Sequence, residues 1–249
     1  MIVPMSLHRL SARRSVLLGG ASAVVLGLAA CGGSSEDPAG TGGTGSNDGT
    51  EGTGGSDGGA DTAGGEGGRD IDRSLPYLEL AGDSDGQVVD LLLDFRCPPC
   101  RGFMETYGEL FRGLVDEQSV VLRIHPRPML DLRRGTTFSQ DFAAAAAAVY
   151  AQDPNLLMDF EEAMYAAQPT SPDEPDPDLE QIAEIAQGIG GDETCLQQIR
   201  DREYVDWTLD VVEPPAQELE VGTPTMIIDG EIWQGDWTQP GSVQDALGV

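Results

Sequence analysis

A glycine-rich stretch between residues 32 and 73 limits where this chain can build a fold. Residues 32–68 hold 16 of the 33 glycines, and the whole stretch contains no aromatic residue. Its other residues are mainly Ser, Thr, Asp and Glu, so it buries too little apolar surface to offset the entropy lost on ordering. We therefore predict a disordered tether over residues 31–74. One domain over residues 75–249 is long enough for a single core.

The first 30 residues have the composition of an export signal. Their only formal charges are three arginines, two of which, Arg13 and Arg14, precede an uncharged run over residues 15–30. This run is too short for a membrane-spanning helix, which needs about 20 apolar residues. We predict a signal peptide over residues 1–30. The arginine pair is compatible with both the twin-arginine and the ordinary export route.

The predicted signal ends in Leu28-Ala29-Ala30-Cys31, which resembles the lipobox of bacterial lipoproteins. That resemblance implies that Cys31 receives a diacylglyceryl group and becomes the new N-terminus after cleavage. Two acyl chains hold a protein on a membrane, whereas one chain barely does. We therefore expect a lipid-anchored protein on the outer face of the cytoplasmic membrane. An ordinary cleaved signal followed by a chance cysteine is the alternative.

The charge of the chain excludes one broad class of function. It has 43 acidic residues against 14 basic ones, all of them arginine, and a formal net charge of −29. Such a surface repels phosphate backbones, from which nucleic-acid-binding proteins draw most of their affinity. No nucleic-acid partner is therefore expected.

The first half of the predicted domain has a β-α-β pattern. Residues 87–95 form a short apolar run rich in branched side chains, which predicts a buried strand, and residues 119–124 predict another. Between them, apolar residues recur at helical spacing from Cys100 to about residue 116. A strand, a helix and a second strand in this order form the unit of a parallel sheet. The pattern therefore predicts an α/β fold.

A helical block follows, over about residues 137–206. Four helices are predicted in it, at residues 138–151, 156–167, 179–189 and 193 to about 205. After the block, two short apolar runs flank Asp229-Gly230, a pair typical of a β-hairpin turn. A last short helix is predicted at residues 241–247. The block is therefore interpreted as an insertion between two strand-forming regions.

Two cysteines three positions apart carry the clearest chemical signal. Cys97-Pro98-Pro99-Cys100 follows the predicted strand and begins the predicted helix. The free N–H groups and the dipole of a helix N-terminus stabilise a thiolate on Cys97, and Cys100 stays within reach to resolve a mixed disulfide. Both prolines suit the first helical turn, where a missing N–H loses no hydrogen bond. The motif therefore predicts a redox-active dithiol.

Three other interpretations of these cysteines are weaker. A structural disulfide is disfavoured because so short a loop constrains the unfolded chain little. A zinc site usually needs four ligands, and beyond the predicted signal and lipidation site the chain offers only Cys195 and His125. A cysteine hydrolase would require His125 beside Cys97. We therefore expect neither a metal nor a cofactor.

Two motifs in this order resemble the DsbA-like branch of the thioredoxin fold. They are Asp94-Phe95-Arg96-Cys97-Pro98-Pro99-Cys100 and Val221-Gly222-Thr223-Pro224-Thr225-Met226-Ile227-Ile228-Asp229-Gly230. The resemblance covers nearly all of residues 75–249 and implies a thioredoxin fold with an inserted helical subdomain. In that family the proline of the second motif is cis and packs beside the active-site disulfide. The resemblance thus makes Pro224 the cis-proline and Thr223 its redox-tuning neighbour.

The chain departs from that family on the strand before the cysteines. Many relatives carry an acid six positions before the first cysteine, where it can move protons for the buried second cysteine. Leu91 occupies this position here, and strand alternation turns Asp90 to the other face. We interpret Asp90 and Asp94 as solvated residues at the strand ends.

Several other residues have two interpretations each. Arg96 and Arg101 flank the motif, and a cation beside Cys97 favours its thiolate and hence a more oxidising disulfide. Alternatively, both arginines only solubilise the surface. Cys195 is expected to be a buried inert thiol, with an intermolecular disulfide as the alternative. The three tryptophans are expected in the core or at its rim rather than in a binding platform.

These features together predict an extracytoplasmic thiol-disulfide oxidoreductase that exchanges disulfides with exported proteins. The favoured direction is oxidation, with a membrane redox partner that restores the disulfide. The same chemistry run in reverse gives a reductase that serves cytochrome or copper-site maturation. A non-catalytic lipoprotein that uses the fold for docking or metal delivery is the alternative from another class.

Overall fold

The computed structural model describes residues 70–82, 85–171 and 173–249. The predicted signal peptide, Cys31 and most of the predicted tether lie outside these ranges. Residues 70–74, which we assigned to the tether, belong to the folded part. Ile71 is buried in the main core, and the Tyr204 hydroxyl donates a hydrogen bond to the Asp70 carboxylate at 3.0 Å. The predicted boundary is therefore too late, because one branched apolar side chain in a polar stretch reaches the core.

Five strands form one mixed sheet in the order β1-β3-β2-β4-β5. They are β1 (Leu78–Leu80), β2 (Gln87–Leu93), β3 (Val120–Pro126), β4 (Thr225–Ile228) and β5 (Glu231–Ile232). β2 and β3 are parallel, whereas β1 pairs with β3, β4 with β2, and β5 with β4 in antiparallel fashion. The parallel pair confirms the predicted β-α-β unit, and the α/β class is confirmed.

Nine α-helices lie in the described ranges. They are α1 (Pro98–Asp116), α2 (Met129–Arg134), α3 (Phe138–Gln152), α4 (Leu157–Ala166), α5 (Leu179–Gly188), α6 (Glu193–Arg200), α7 (Val205–Trp207), α8 (Glu213–Glu218) and α9 (Ser242–Leu247). A 3-10 turn precedes α4, and a π-helical turn joins α7 to α8. No helix in this described part of the chain is long and apolar enough to cross a membrane.

The helical block is longer than its predicted span of about 137–206. It starts at Met129 and ends at Glu218, so α2 and α8 extend it on both sides. α2 is too short to show helical periodicity in the sequence. α8 begins at Glu213 and carries Pro214 and Pro215 in its first turn. Proline is accepted at that position of a helix, but a pair of prolines in a sequence usually indicates that a helix ends, so the sequence does not predict α8.

An alanine run makes α3 the tightly packed helix of the block. All six alanines from Ala143 to Ala148 are buried, at 0 to 3% exposure. α3 packs against α4, α5 and α6, and alanine has both the highest helix propensity and the smallest side chain that a helix can present. Neighbouring helices therefore approach α3 closely, and a larger side chain in the run must displace them.

We predict that Ala146→Leu lowers the free energy of unfolding by about 1–3 kcal/mol, because extra methylenes overfill a close-packed site. Urea unfolding of the domain measures the change. Gln187→Leu, at an exposed position on neighbouring α5, is the control and should change stability by less than about 0.5 kcal/mol. Equal effects of the two substitutions would contradict the close packing of α3.

Candidate active site

Cys97 lies at the junction of β2 and α1. It is the N-cap residue of α1 in an extended conformation, and Pro98 and Pro99 form the start of the first helical turn. The Cys97 carbonyl oxygen accepts hydrogen bonds from the backbone N–H groups of Cys100 and Arg101 at 3.0 and 3.2 Å. The tight turn places Cys100 one helical turn from Cys97, and both are free thiols.

The two thiols have opposite electrostatic environments. A hydrogen bond from the Cys100 thiol lowers the pKa of Cys97 to about 6, against the opposing effect of burial. Burial raises the pKa of Cys100 well above its usual value, and its hydrogen bond to Cys97 raises it further. Cys97 is 6% exposed and Cys100 is 0% exposed. Near neutral pH, Cys97 is therefore a thiolate while Cys100 keeps its proton.

The loop before β4 contacts Cys97. The peptide bond between Thr223 and Pro224 is cis, as the resemblance implies. The Cys97 sulfur lies 3.4 Å from the Thr223 carbonyl oxygen, to which it donates a hydrogen bond when it is protonated. The Thr223 hydroxyl is buried and has no hydrogen-bond partner among the described residues. The structure thus brings the two sequence motifs together at one site.

A buried ion pair fixes the start of this loop. The Arg127 guanidinium donates two hydrogen bonds to the Glu213 carboxylate, at 2.9 and 2.8 Å, and a third to the Val221 carbonyl oxygen at 2.8 Å. Arg127 and Glu213 are 1% and 3% exposed. The backbone N–H of Arg127 also donates to the Leu93 carbonyl oxygen at 2.7 Å. One arginine therefore connects the ends of β2 and β3, α8 and the loop of Thr223.

Asp94 is fully buried, so its predicted position at a solvated strand end is wrong. Its carboxylate accepts hydrogen bonds from the backbone N–H groups of Arg96 and Leu130 and from the Ser139 hydroxyl, each at 2.8 Å. Burial raises the pKa of Asp94 to about 6, although these hydrogen bonds oppose the shift. Its backbone carbonyl also accepts from the Cys97 N–H at 2.9 Å. Asp94 therefore shapes the active-site loop.

Asp90 is also buried rather than solvated. The His125 Nε2 atom lies 2.8 Å from its carboxylate oxygen, and the His125 ring contacts the ring of Tyr77 at a centroid distance of 5.4 Å. His125 thus pairs with Asp90, which gives no support to a hydrolase that needs it beside Cys97. Leu91 is completely buried at the position where many relatives carry an acid.

The two arginines that flank the motif are each paired with an acid. Arg96 lies 2.5 Å from the Asp176 carboxylate, and its guanidinium lies 5.9 Å from the centroid of the Phe138 ring. Arg101 forms an ion pair with Glu105 at 2.8 Å, one turn further along α1. Because these acids offset the arginine charges, the predicted effect of both arginines on Cys97 stays a prediction.

Cys195 lies on α6, in the helical block. It is 1% exposed, and burial raises the pKa of its thiol to about 11. Such a thiol is unreactive at neutral pH, as expected for a buried structural cysteine. In the described part of the chain, no group of His, Cys, Asp or Glu side chains is arranged to hold a metal ion.

A groove lies beside Pro224. Its cavity of about 230 Å³ is lined by apolar side chains, among them Phe103, Met226, Trp233 and Trp237, and by the polar side chains of Thr225 and Gln234. The rings of Phe103 and Trp237 meet edge to face at a centroid distance of 5.7 Å. Two of the tryptophans assigned to the core or rim therefore line a groove at the site, which their sequence spacing does not indicate.

Sequence reasoning also missed two buried polar residues on α4, Glu161 and Tyr165. Both are completely or almost completely buried. The sequence does indicate the position of Glu161. It lies four residues after Leu157 and three before Met164, and this helical spacing puts it on the apolar face of α4. A charged residue on an apolar face is the pattern that marks such a site.

Comparison with known proteins supports the fold. A family model described as Thioredoxin matches residues 79–244. A search of curated proteins gave no match.

Solved structures match over most of the chain. DsbA from Mycobacterium tuberculosis, in its oxidised form, is 21% identical, with a TM-score of 0.60 over 69% of this chain and 90% of that one. MdbA from Corynebacterium diphtheriae, described as a thiol-disulfide oxidoreductase, is 20% identical, with a TM-score of 0.56 over 70% and 94%. Oxidised BdbD from Bacillus subtilis is 17% identical, with a TM-score of 0.58 over 73% and 95%. The predicted thioredoxin fold is confirmed.

We predict that Glu213→Ala lowers the free energy of unfolding by about 3–5 kcal/mol, because it leaves the Arg127 charge buried without its partner. Chemical unfolding measures this loss. The control is Glu180→Ala, which breaks the exposed ion pair of Glu180 with Arg200 and should leave the stability nearly unchanged, because solvent screens such a pair. Similar losses in both variants would contradict a special role for the buried pair.

Proposed function

This chain belongs to the thioredoxin family, and we propose that it is an extracytoplasmic thiol-disulfide oxidoreductase with Cys97 and Cys100 as its redox pair. One observation carries the proposal: two sulfurs one helical turn apart differ in both exposure and pKa. Cys97 is slightly exposed and has a lowered pKa, whereas Cys100 is fully buried and has a raised one. Cys97 is therefore the sulfur that exchanges with substrates, and Cys100 is the one that resolves.

The oxidising reaction follows from this assignment. A substrate thiolate attacks the Cys97 sulfur of the disulfide form, so that an S–S bond to substrate forms as the Cys97–Cys100 bond breaks. Cys100 leaves with the electron pair and takes up a proton. A second substrate thiolate then attacks the substrate sulfur of the mixed disulfide and releases Cys97 as a thiolate. Two electrons pass from the substrate to the cysteine pair, so no cofactor is required.

The lowered pKa of Cys97 supports oxidation as the favoured direction. A group whose pKa is lower in the folded than in the unfolded protein stabilises the folded state once it ionises, and this effect is lost as the pH falls through about 6. At neutral pH the reduced, folded form therefore gains stability from the Cys97 thiolate. A stabilised reduced form makes the disulfide a stronger oxidant.

Residues around the pair have proposed tuning roles. Pro98 and Pro99 fix the first turn of α1. The Thr223 hydroxyl is buried without a partner beside the Cys97 sulfur, and its proposed role is to donate a hydrogen bond to the thiolate. Pro224 follows directly in the same loop. Arg96 and Arg101 are proposed to act only through the part of their charge that Asp176 and Glu105 leave unbalanced.

Exported proteins are the proposed substrates. The groove beside Pro224 combines aromatic and aliphatic side chains with the polar side chains of Thr225 and Gln234, so it accommodates a mixed substrate segment near the substrate's cysteine. The relatives with similar folds include a protein described as a thiol-disulfide oxidoreductase. Cys31 is the proposed lipid anchor on the outer face of the cytoplasmic membrane, where a membrane redox partner would restore the disulfide. A reductase for cytochrome or copper-site maturation is the alternative direction.

We expect iodoacetamide to alkylate only Cys97 in the reduced protein near neutral pH, so that the pH dependence of alkylation reports on Cys97. We expect the rate at Cys97 to rise with pH and to reach half its maximum near pH 6. Cys100 and Cys195 should remain unmodified at pH 7, since burial raises the pKa of both. Mass spectrometry of the modified peptides gives each rate, and Cys97→Ser is the control. A midpoint near the ordinary thiol pKa would contradict the assignment.

Equilibration of the described domain with glutathione buffers should show a dithiol-disulfide couple. A potential near about −120 mV would indicate an oxidase, and one near about −270 mV a reductase. Cys97→Ser and Cys100→Ser should each abolish oxidation of a dithiol peptide, whereas Cys195→Ser should retain it. A pair that never exchanges with glutathione would instead favour the non-catalytic docking or metal-delivery lipoprotein.

A further inference from the structure

Two adjacent arginines at the end of α2, Arg133 and Arg134, have no ionic partner. The structure describes ten arginines, and eight of them form ion pairs with acidic side chains. Arg133 and Arg134 are exposed, and neither forms an ion pair or a side-chain hydrogen bond with any described residue. Acidic residues outnumber basic ones by 43 to 14 in this chain, so an arginine finds a partner easily. Two unpaired neighbours therefore mark a distinct surface.

An exposed leucine lies beside the two arginines. Leu132 is 56% exposed, more than any other leucine in the described ranges. Leu132 and Arg133 line a groove of about 330 Å³ between α2 and α8, with Met129 and Gln217 among its other walls. We call Leu132, Arg133 and Arg134 the α2 surface. An apolar side chain next to unpaired guanidinium groups is typical of an interface, where arginine is enriched.

The groove of the α2 surface adjoins the cis-proline loop. Val221 and Gly222 line it, and the same two residues line the groove beside Pro224. Gly222 is followed directly by Thr223, whose carbonyl oxygen lies 3.4 Å from the Cys97 sulfur. A polypeptide that is joined to Cys97 therefore has the α2 surface within a few residues of its reacting cysteine.

The start of α2 is fixed to the active-site loop. The backbone N–H of Leu130 donates a hydrogen bond to the Asp94 carboxylate at 2.8 Å. The Asp94 carbonyl oxygen in turn accepts a hydrogen bond from the Cys97 N–H at 2.9 Å. The α2 surface is thus held at a defined position relative to the cysteine pair, so it can orient a partner as well as attract it.

Two acidic residues bear on the charge of this surface. Asp131 is 3% exposed, and its carboxylate accepts hydrogen bonds within the fold, so it faces the interior. Glu220 is exposed and lines the groove opposite α2, where it opposes an anionic ligand. The buried pair of Arg127 and Glu213 adds one charge of each sign. The two unpaired arginines therefore face solvent with one exposed acid near them.

We propose that the α2 surface is a docking site for an acidic segment of the substrate, close to the substrate's reacting cysteine. This inference rests on the proposed function and names the substrate class that the site favours. Guanidinium groups form strong hydrogen bonds with carboxylates, and Leu132 offers an apolar contact between them and the groove. A membrane surface fits less well, because a net charge of −29 repels anionic headgroups and only two cations oppose it.

The proposed docking site acts on encounter and orientation. Complementary charges raise the rate at which two surfaces associate and fix their register, and salt weakens both effects. The α2 surface meets the substrate rather than the two sulfurs. We therefore expect it to change how fast an acidic substrate is oxidised, and to leave the reduction potential of the pair and the pKa of Cys97 unchanged.

The test is the oxidation rate of three synthetic dithiol peptides that differ only in the residues beside their cysteines, which are Glu, Gln or Lys. The protein is the oxidised full chain with Cys31→Ser, which prevents acylation, and thiols are trapped over time. We expect Arg133→Gln combined with Arg134→Gln to slow oxidation of the Glu peptide by about three- to tenfold at low salt. The Gln peptide should keep its wild-type rate. The difference should vanish in about 1 M NaCl, because salt screens exposed charges.

Two further variants control for net charge. Arg73→Gln combined with Arg112→Gln removes the same two charges from arginines that pair with acids elsewhere. This control should change the rate with the Glu peptide by less than about twofold. Glu220→Gln removes the opposing acid of the groove and should speed oxidation of the Glu peptide.

Each failure has a separate meaning. A wild-type rate with the Glu peptide in the α2 variant, or equal slowing in the control, would overturn the inference and leave the proposed function intact. A shifted alkylation midpoint of Cys97 in the α2 variant would also overturn it, since the arginines would then act on the cysteine. Unchanged peptide rates with lost binding to phosphatidylcholine vesicles that contain phosphatidylglycerol would assign the surface to a membrane instead. A wild-type protein that oxidises none of the peptides would overturn both proposals.

Discussion

A single buried carboxylate, that of Asp94, holds the parts of the site together. It receives donors from the active-site loop, from the start of α2 and from α3, and the last two lie 36 and 45 residues away in the sequence. All three donors are neutral, and the negative charge of Asp94 acts to raise the pKa of Cys97. The lowered pKa of Cys97 is therefore reached against this charge, through the hydrogen bond from Cys100. Asp94 thus holds the active-site loop in place and also limits how far the pKa of Cys97 is lowered.

The helical block is more than a cover for the sheet. Ser139 on α3 contacts Asp94, Gln168 contacts the carbonyl oxygen of Phe95, and Glu213 on α8 holds Arg127 and, through it, the loop of Thr223. β2 ends shortly before the cysteine pair, and β4 begins directly after Pro224. The helices hold the two loops that contain Cys97 and Thr223. The proposed redox site is therefore shared between the sheet and the inserted helices, and neither part alone would define it.

The sequence predicts what depends on local pattern. Cys97-Pro98-Pro99-Cys100 after an apolar run specifies a strand, a turn and a helix, and Asp229-Gly230 specifies a hairpin, because each signal lies within a few residues. Burial of Asp94 could not be predicted in this way, since its donors come from residues 36 and 45 positions away. The ion pair of Arg127 with Glu213, 86 positions apart, escapes for the same reason. Elements as short as β1 and α2 could not be predicted either, because three or six residues are too few to show the repeat of a strand or a helix.

The alanine run of α3 has a consequence for motion in the molecule. Alanine loses no rotamer freedom on burial, so this helix enters the core without the side-chain entropy cost that leucine or methionine would add. It also has no alternative rotamers with which to adapt when a neighbour moves. Ser139, near the beginning of this helix, donates a hydrogen bond to the Asp94 carboxylate, and the Asp94 carbonyl oxygen accepts one from the Cys97 N–H. The position of the active-site loop therefore depends on a helix whose alanine side chains have no torsions to adjust.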